Sequence, residues 1–591
     1  MKKHKIVFAL FMAVILTACS SVGTTAKIGS TASEPSTLQS YESSADISAD
    51  QSDEAVADHH KSSVGGVNVT SIEGKSSEAN RVSGSAESKS TDKRSVISKL
   101  VTKNRRTYVE YLDDPYLMYG VQIRIDNLIA SGIDDPGKWE ENFQKAKEVG
   151  FRSVIIAISW VEFEIVKDEF DFWFVSLFVK WCDKYDLDLH LIWFGSDVCG
   201  AWTNVPKYLW DDPVTYPRAD FAPATKHLKY DSPGLIARES NAVKALFDWL
   251  EKNDKNHRVS MFQLNNEPDG AGDMDNIPWN ASHEEMYKYL WGGGQAEGSI
   301  KVMDKLGQTV KASGNKVVTR VNFVNTILDN SVNVARKNLR KTFDMPGVDI
   351  VGIDEYSRLI SVQERFMDYV NAEIPSGNVT HVPEASGAQE NMINKIMNAF
   401  SRGEGYLIYE IRTAYGQIND GGVYRQPSAS NRTEWVERDG SKMLPGFYTN
   451  DWDPKPENVT SEVKSFNNLI YKASHKLATL HKDSISAFNI ENKSGSYLKI
   501  GEKCGKYTLS YTSPVGGEAM AMCDINGDII LLALYNSSKF TISGKSLSGN
   551  ASEGYFSKSG VWTQNKSVTV SGDTVTLSAG QCLRIPAGNI K

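Results

Sequence analysis

Val259-Ser260-Met261-Phe262-Gln263-Leu264-Asn265-Asn266-Glu267-Pro268 is a short, mostly apolar run that stops abruptly on polar residues. Apolar runs of roughly four to eight residues, separated by longer amphipathic stretches, are the pattern of parallel strands buried on both faces and joined by helices. Seven further runs share it: Tyr116–Ile125, Ser153–Trp160, Leu187–Phe194, Lys316–Val324, Asp349–Ile353, His381–Pro383 and Tyr406–Tyr409. A helix is predicted to start near Asp135-Pro136, with Trp139, Phe143, Ala146 and Val149 on one face. Phe174, Leu177, Phe178 and Trp181 recur at helical spacing, and Asn391–Phe400 and Ser461–Thr479 supply two later helices. Eight β-then-α units over residues 107–483 predict an α/β protein with a (β/α)8 TIM barrel. A doubly wound open sheet is the alternative, but no Gly-rich phosphate turn follows any of the strands.

The flanks read differently. Residues 484–591 carry alternating or apolar runs such as Asp528–Tyr535 and Ser567–Val570, with turn signals at Asn526-Gly527 and Ser571-Gly572. They predict a C-terminal β-sandwich, with Asp524, Asn526 and Asp528 forming a hairpin turn rather than a calcium loop. Residues 20–106 are rich in Ser, Ala, Thr, Glu, Asp and Lys, and predict a disordered tether with an r.m.s. span of about 50 Å. Residues 1–19 hold a basic start (Lys2, Lys3, Lys5), the apolar stretch Ile6 to Leu16, and Leu16-Thr17-Ala18-Cys19. That tetrapeptide resembles the bacterial lipobox, which implies acylation at Cys19 and a lipid anchor on the outward side of the cell envelope.

Composition narrows the partners. A net charge of -8 argues against a nucleic-acid partner, which needs basic patches. Thirteen Trp and 24 Tyr lean toward carbohydrate, because flat apolar rings stack on sugar faces. Cys182, Cys199, Cys504, Cys523 and Cys582 lack metal-type spacing, so no metal site or other cofactor is expected. Cys504–Cys523 or Cys182–Cys199 bridges are open to an oxidising compartment, but five cysteines cannot all pair, and most read as small buried residues.

In a barrel of this kind the active site is built at the C-terminal ends of the strands. Two carboxylates stand there: Glu267 after the fourth strand, and Glu384 in His381-Val382-Pro383-Glu384-Ala385 after the seventh. Strands four and seven face one another across the mouth. Retaining cleavage of a glycosidic bond needs two carboxyl groups about 5–5.5 Å apart on opposite sides of the bond. Glu410, which ends the eighth strand, competes with Glu384. Strand count favours Glu384, because Ser461–Thr479 leads directly into the β-domain and leaves no unit to follow.

Asn266-Glu267-Pro268 at a fourth strand resembles the acid/base motif of glycoside hydrolase clan A. The resemblance implies Glu267 as acid/base, Glu384 as nucleophile, and Asn266 on the sugar 2-hydroxyl. It also implies Tyr356 as a donor that keeps Glu384 ionised while Glu267 stays protonated. Ser159-Trp160-Val161-Glu162-Phe163-Glu164 with Glu169-Phe170-Asp171-Phe172 is similar to the second-strand region of β-galactosidases of families 35 and 42. Asp168 stands where those families have Gly. A retaining β-galactosidase is therefore expected, with an endo-acting β-glycanase or a non-catalytic glycan-binding lipoprotein as rivals; transglycosylation would use the same residues.

Further substrate contacts are expected at Trp160, Arg124, Trp193 and Glu410, with Asp126 beside Arg124. Trp202, Trp279, Trp291 and Trp435 lie in polar loops where sugar stacking and loop packing compete. Asp269, Asp273 and Asp275 read as a solvated acidic loop. Oligomeric state is not legible.

Overall fold

A computed structural model describes residues 95–591 except 131–132, 197–203, 219–227, 269–294, 325–339, 356–359, 375–378, 386–390, 413–434, 437–441, 444–446, 448–458, 489–496 and 515–517. The lipobox with Cys19, Cys199, Trp202, Trp279, Trp291, Asp269, Asp273, Asp275 and Tyr356 lie outside the described residues, as does the side chain of Trp435.

The chain opens with an antiparallel sheet of β1 (Ser98–Lys103), β2 (Arg106–Tyr111) and β3 (Asp114–Tyr116). β1 lies inside the stretch expected to be tether, so ordered structure begins earlier than composition suggested. The sequence Lys99 to Lys103 carries few apolar groups. What fixes it is backbone and hydroxyl bonding: Ile97 N–H donates to Lys316 O at 2.8 Å, and Ser98 Oγ donates to Ser260 O at 2.5 Å.

The next eight strands close a parallel barrel: β4 (Tyr119–Gln122), β5 (Ser153–Ser159), β6 (Asp188–Phe194), β7 (Val259–Gln263), β8 (Val318–Val324), β9 (Ile350–Asp354), β10 (Val379–Val382) and β11 (Gly405–Ile408). β11 pairs back onto β4 in register Tyr406 to Tyr119, which completes the ring. The open-sheet alternative is thereby excluded. Helices Pro136–Glu148, Trp173–Tyr185, Pro233–Asn253, Gln295–Ala312, Ile360–Glu373, Met392–Arg402 and Val459–Ile470 follow the strands. The first starts where its sequence requires: Asp135 Oδ1 accepts from Gly137 N–H at 2.9 Å and Pro136 occupies the first turn.

Period two sorts each strand into two faces. On β8, Val321 and Phe323 pack outward against the helices, which leaves the buried polar pair Arg320 and Asn322 on the inner face. On β6, Leu189, Leu191 and Trp193 face outward, whereas Ile192 and Phe194 join Ile155 and Leu407 inside. Val109, Met118, Met261, Val318, Ile350 and Val379 fill the opposite end of the barrel. The interior is therefore apolar at the closed end and polar at the mouth.

The C-terminal region is the expected sandwich, built from a six-stranded and a four-stranded sheet. Strand Ala519–Cys523 shows why its sequence is apolar throughout: Ala519, Ala521 and Cys523 face the second sheet, and Met520 and Met522 join the barrel core. Asp524 forms the hairpin turn expected of it, with Oδ1 accepting from the N–H groups of Asn526 and Asp528. Cys182, Cys504, Cys523 and Cys582 are buried free thiols. No helix among the described residues is long and apolar enough to cross a membrane.

Candidate active site

The mouth of the barrel gathers three buried carboxyl groups. Glu267, Asp354 and Glu384 each offer an oxygen, and all three oxygens lie within 4.8 Å of one another. Glu267 and Glu384 are the pair expected from sequence; Asp354 was passed over in favour of its neighbour Tyr356.

Each carboxyl is held by polar residues on the inner face of the strands. Gln122, at the end of β4, donates from Nε2 to Glu384 Oε1 at 2.7 Å. The backbone carbonyl of Glu384 accepts from Glu355 N–H at 2.8 Å. Gln263 on β7 donates to Asn322 Oδ1 at 2.8 Å and to Asn266 Oδ1 at 3.0 Å. Asn322 also accepts from Glu267 N–H at 3.0 Å and donates to Asp354 Oδ2 at 2.9 Å. Asn265 and Glu267 have φ of 61° and 45°. A Glu in this left-handed region is costly, and the Asn322 bond to its N–H holds it there.

Beneath the carboxyls, Arg320 is fully buried, with Nη1 3.1 Å from His381 Nε2. Burial pulls its guanidinium down to about 10, against the opposing pull of Glu384 and Asp354. Burial, followed by the nearby Arg320, drives His381 and His190 far below the usual imidazole range, so both are neutral. Burial also pushes Asp354 well above the usual carboxylate range, with Glu384 and Glu267 adding to the shift. The expected donor Tyr356 lies outside the described residues; among those described, Gln122 donates to Glu384, and Asp354 is a carboxyl that burial pushes up.

Other expected contacts fall elsewhere. Trp160 and Trp193 are fully buried. Their indoles donate to Glu164 Oε2 and Glu239 Oε1, both at 2.9 Å. Trp193 is on the outward face of β6 with Leu189 and Leu191, and Trp160 opens the short helix Trp160–Phe163 that follows β5. Arg124 is buried and is bound by Asp126 and by the Tyr409 hydroxyl at 3.1 Å. Glu410 is fully buried and influences Arg124, but it is not among the three clustered carboxyls. Gly195 N–H donates to Asn265 Oδ1 at 3.1 Å. A Cβ on Gly195 would stand 1.9 Å from Glu239 Oε1, so only glycine lets these chains approach.

Asp126, Ser159, Glu162, Asp171 and Phe194 line a small cleft. Burial, then Asp126 and Asp171, push the Glu162 carboxyl up to about 7. By count, the Glu267, Asp354 and Glu384 trio has enough oxygens for a cation. It is the one such grouping among the described residues. Hydrogen bonds from Gln122 and Asn322 already engage two of its three carboxyl groups.

Residues 300–495, which include Asp354 and Glu384, match the family described as a domain of unknown function, DUF4978. No curated protein matches the chain. Among solved structures it is similar to the β-galactosidase of the psychrophilic Marinomonas ef1, at 11% identity and a TM-score of 0.42, covering 62% of each chain. It is also similar to a GH5_18 protein of Bifidobacterium longum subsp. longum, at 13% identity and a TM-score of 0.39, covering 60% of this chain and 78% of that one. A psychrophilic family 10 endo-β-1,4-xylanase matches at 10% identity and a TM-score of 0.36, covering 59% and 96%. The chain thus spans less than two thirds of the first of these proteins.

Proposed function

We propose that this chain is a retaining β-glycoside hydrolase in which Glu267 is the acid/base and Glu384 the nucleophile. The observation that carries the reading is the spacing of these two carboxyls, whose nearest oxygens lie within 4.8 Å. An oxygen of each carboxyl within reach of the other agrees with the short separation of retaining enzymes, whose carboxyl groups stand about 5–5.5 Å apart. Glu384 attacks the anomeric carbon while Glu267 passes a proton to the leaving oxygen. Water then attacks the glycosyl ester and gives its proton to Glu267. A terminal β-galactoside is the favoured substrate, on the likeness of the Ser159–Phe172 stretch to families 35 and 42.

A set of aryl β-glycosides differing only in the sugar tests both levels. The β-galactoside is expected to be hydrolysed fastest, with the β-anomer appearing first by NMR. First appearance of the α-anomer would sink the retaining mechanism. Preference for a polymer over every aryl glycoside would replace the exo-acting reading with an endo-acting one. The proposal extends to an outward-facing lipid anchor at Cys19. In bacterial expression, Cys19→Ala is expected to move the protein from the membrane to the soluble fraction, and an unchanged partition counts against the anchor.

A further inference from the structure

Double displacement uses two carboxyl groups, and the mouth of this barrel holds three. Asp354 is 1% exposed and Glu267 2%, so bulk water does not separate them. Asn322 clamps both, through Asp354 Oδ2 and the Glu267 backbone N–H. The other oxygen of Asp354 meets no donor among the described residues, and an oxygen of Asp354 lies within 4.8 Å of one of Glu267. Ionised carboxylates only accept, so two carboxyl groups bond to each other only through a proton. Among the described residues, the charged and titratable groups around Asp354 are Glu267 after β7, Arg320 on β8, Glu355 next along the chain, and His381 and Glu384 at β10. His381 is neutral, and Glu355 is paired with Lys395 at 2.7 Å. Arg320, on the inner face of β8, is a cation that acts on both Glu384 and Asp354.

We propose that Asp354 and Glu267 hold a single proton between them, and that Asp354 is the positioning residue that keeps this proton available to Glu267. The inference rests on the glycosidase reading. In the first step the proton leaves Glu267 for the glycosidic oxygen, the bond from that oxygen to the anomeric carbon breaks, and Glu384 forms its ester. The pair gains the negative charge that Glu384 loses, so the charge of the buried cluster stays constant. In the second step water attacks the anomeric carbon, its proton returns to the pair through Glu267, and Glu384 is released as carboxylate. What Asp354 adds is a second carboxyl whose charge opposes loss of the last proton, so Glu267 keeps that proton to higher pH than it would alone.

Asp354→Asn removes the proton-holding group while keeping the acceptor for Asn322. Its amide donates to Glu267 and carries no charge, so the last proton leaves the site at lower pH than in the parent. The alkaline limb of kcat/KM is expected to move down by about one pH unit or more. Activity on an alkyl β-glycoside, whose leaving group needs the proton, is expected to fall about tenfold more than on a dinitrophenyl β-glycoside, which does not. Asp354→Ser removes the same titrating group in a smaller side chain, so either variant that melts cooperatively suffices. A parent-like alkaline limb, or an equal loss on both substrates, would overturn the inference. So would parent activity that a chelator abolishes and a divalent cation restores, because a cation would then occupy the place given to the proton. Absence of hydrolysis by the parent chain would instead sink the glycosidase reading.

Discussion

Glu384→Ala is expected to lower turnover of the best aryl β-glycoside by about 10⁵-fold, the scale seen when a covalent nucleophile is removed. At 1.36 kcal/mol per decade this is close to 7 kcal/mol of barrier. Folding should survive. Glu384 sits past the end of β10, its carbonyl bond to Glu355 N–H is made by backbone, and removing the carboxyl relieves repulsion within the trio. The cavity left beside Gln122 suits a small anion. Formate or azide should restore part of the rate and yield the opposite anomer, because the covalent step on the protein is lost. Steady-state rates with matched thermal melts make the measurement. Undiminished hydrolysis in Glu384→Ala, with a collapse in Glu410→Gln, would transfer the nucleophile to Glu410. The geometry opposes that outcome, since Glu410 stands with Arg124 and apart from the three clustered carboxyls.

The second large effect is on stability. Lys395, on helix Met392–Arg402, places Nζ 2.7 Å from Glu355 Oε2, with the two side chains 0% and 1% exposed. Lys395→Met leaves a carboxylate in the protein interior without its cation. Breaking such a pair costs about 3–5 kcal/mol, whereas replacing both members by apolar groups is often neutral. Lys395→Met should therefore lower the thermal midpoint sharply, and Lys395→Met with Glu355→Leu should recover most of it. Because Glu355 N–H holds the Glu384 carbonyl, activity at permissive temperature should fall in the single variant too. A loss below about 1 kcal/mol would show that the pair is not buried in solution as described.

The eight barrel strands were legible because strands buried on both faces are mostly apolar, and their runs in the sequence are short and bounded by polar stretches. Glu267 and Glu384 were legible for the converse reason: polar residues directly after such runs have nowhere to go but the mouth. The errors share one cause, which is neglect of parity. Trp193 is in phase with Leu189 and Leu191, which face the helices, so its ring was committed to packing. Asp354 is in phase with Ile350 and Gly352, and Ile350 lines the barrel interior. Counting by twos along β9 would have found it, whereas Tyr356 lies beyond the strand, where alternation no longer applies. Arg320 and Asn322 carried the same signal on β8. The clamp made by Asn322 was not legible, because it joins three strands whose pairing only the closed barrel fixes. β1 was missed because backbone bonds and one serine hydroxyl hold it, and composition does not record either.

The small antiparallel sheet that precedes the barrel has a mechanical consequence. Ser98 is stitched to Ser260 and Val318, at the ends of β7 and β8 farthest from the carboxyls. A seven-residue strand such as β5 is about 23 Å long at 3.3 Å per residue, so the described chain begins roughly a barrel height from the mouth. A load applied through the N-terminus is then borne at the closed end, across strand ends and hydroxyl stitches. The loops that carry Glu267 and Glu384 lie off that line of force.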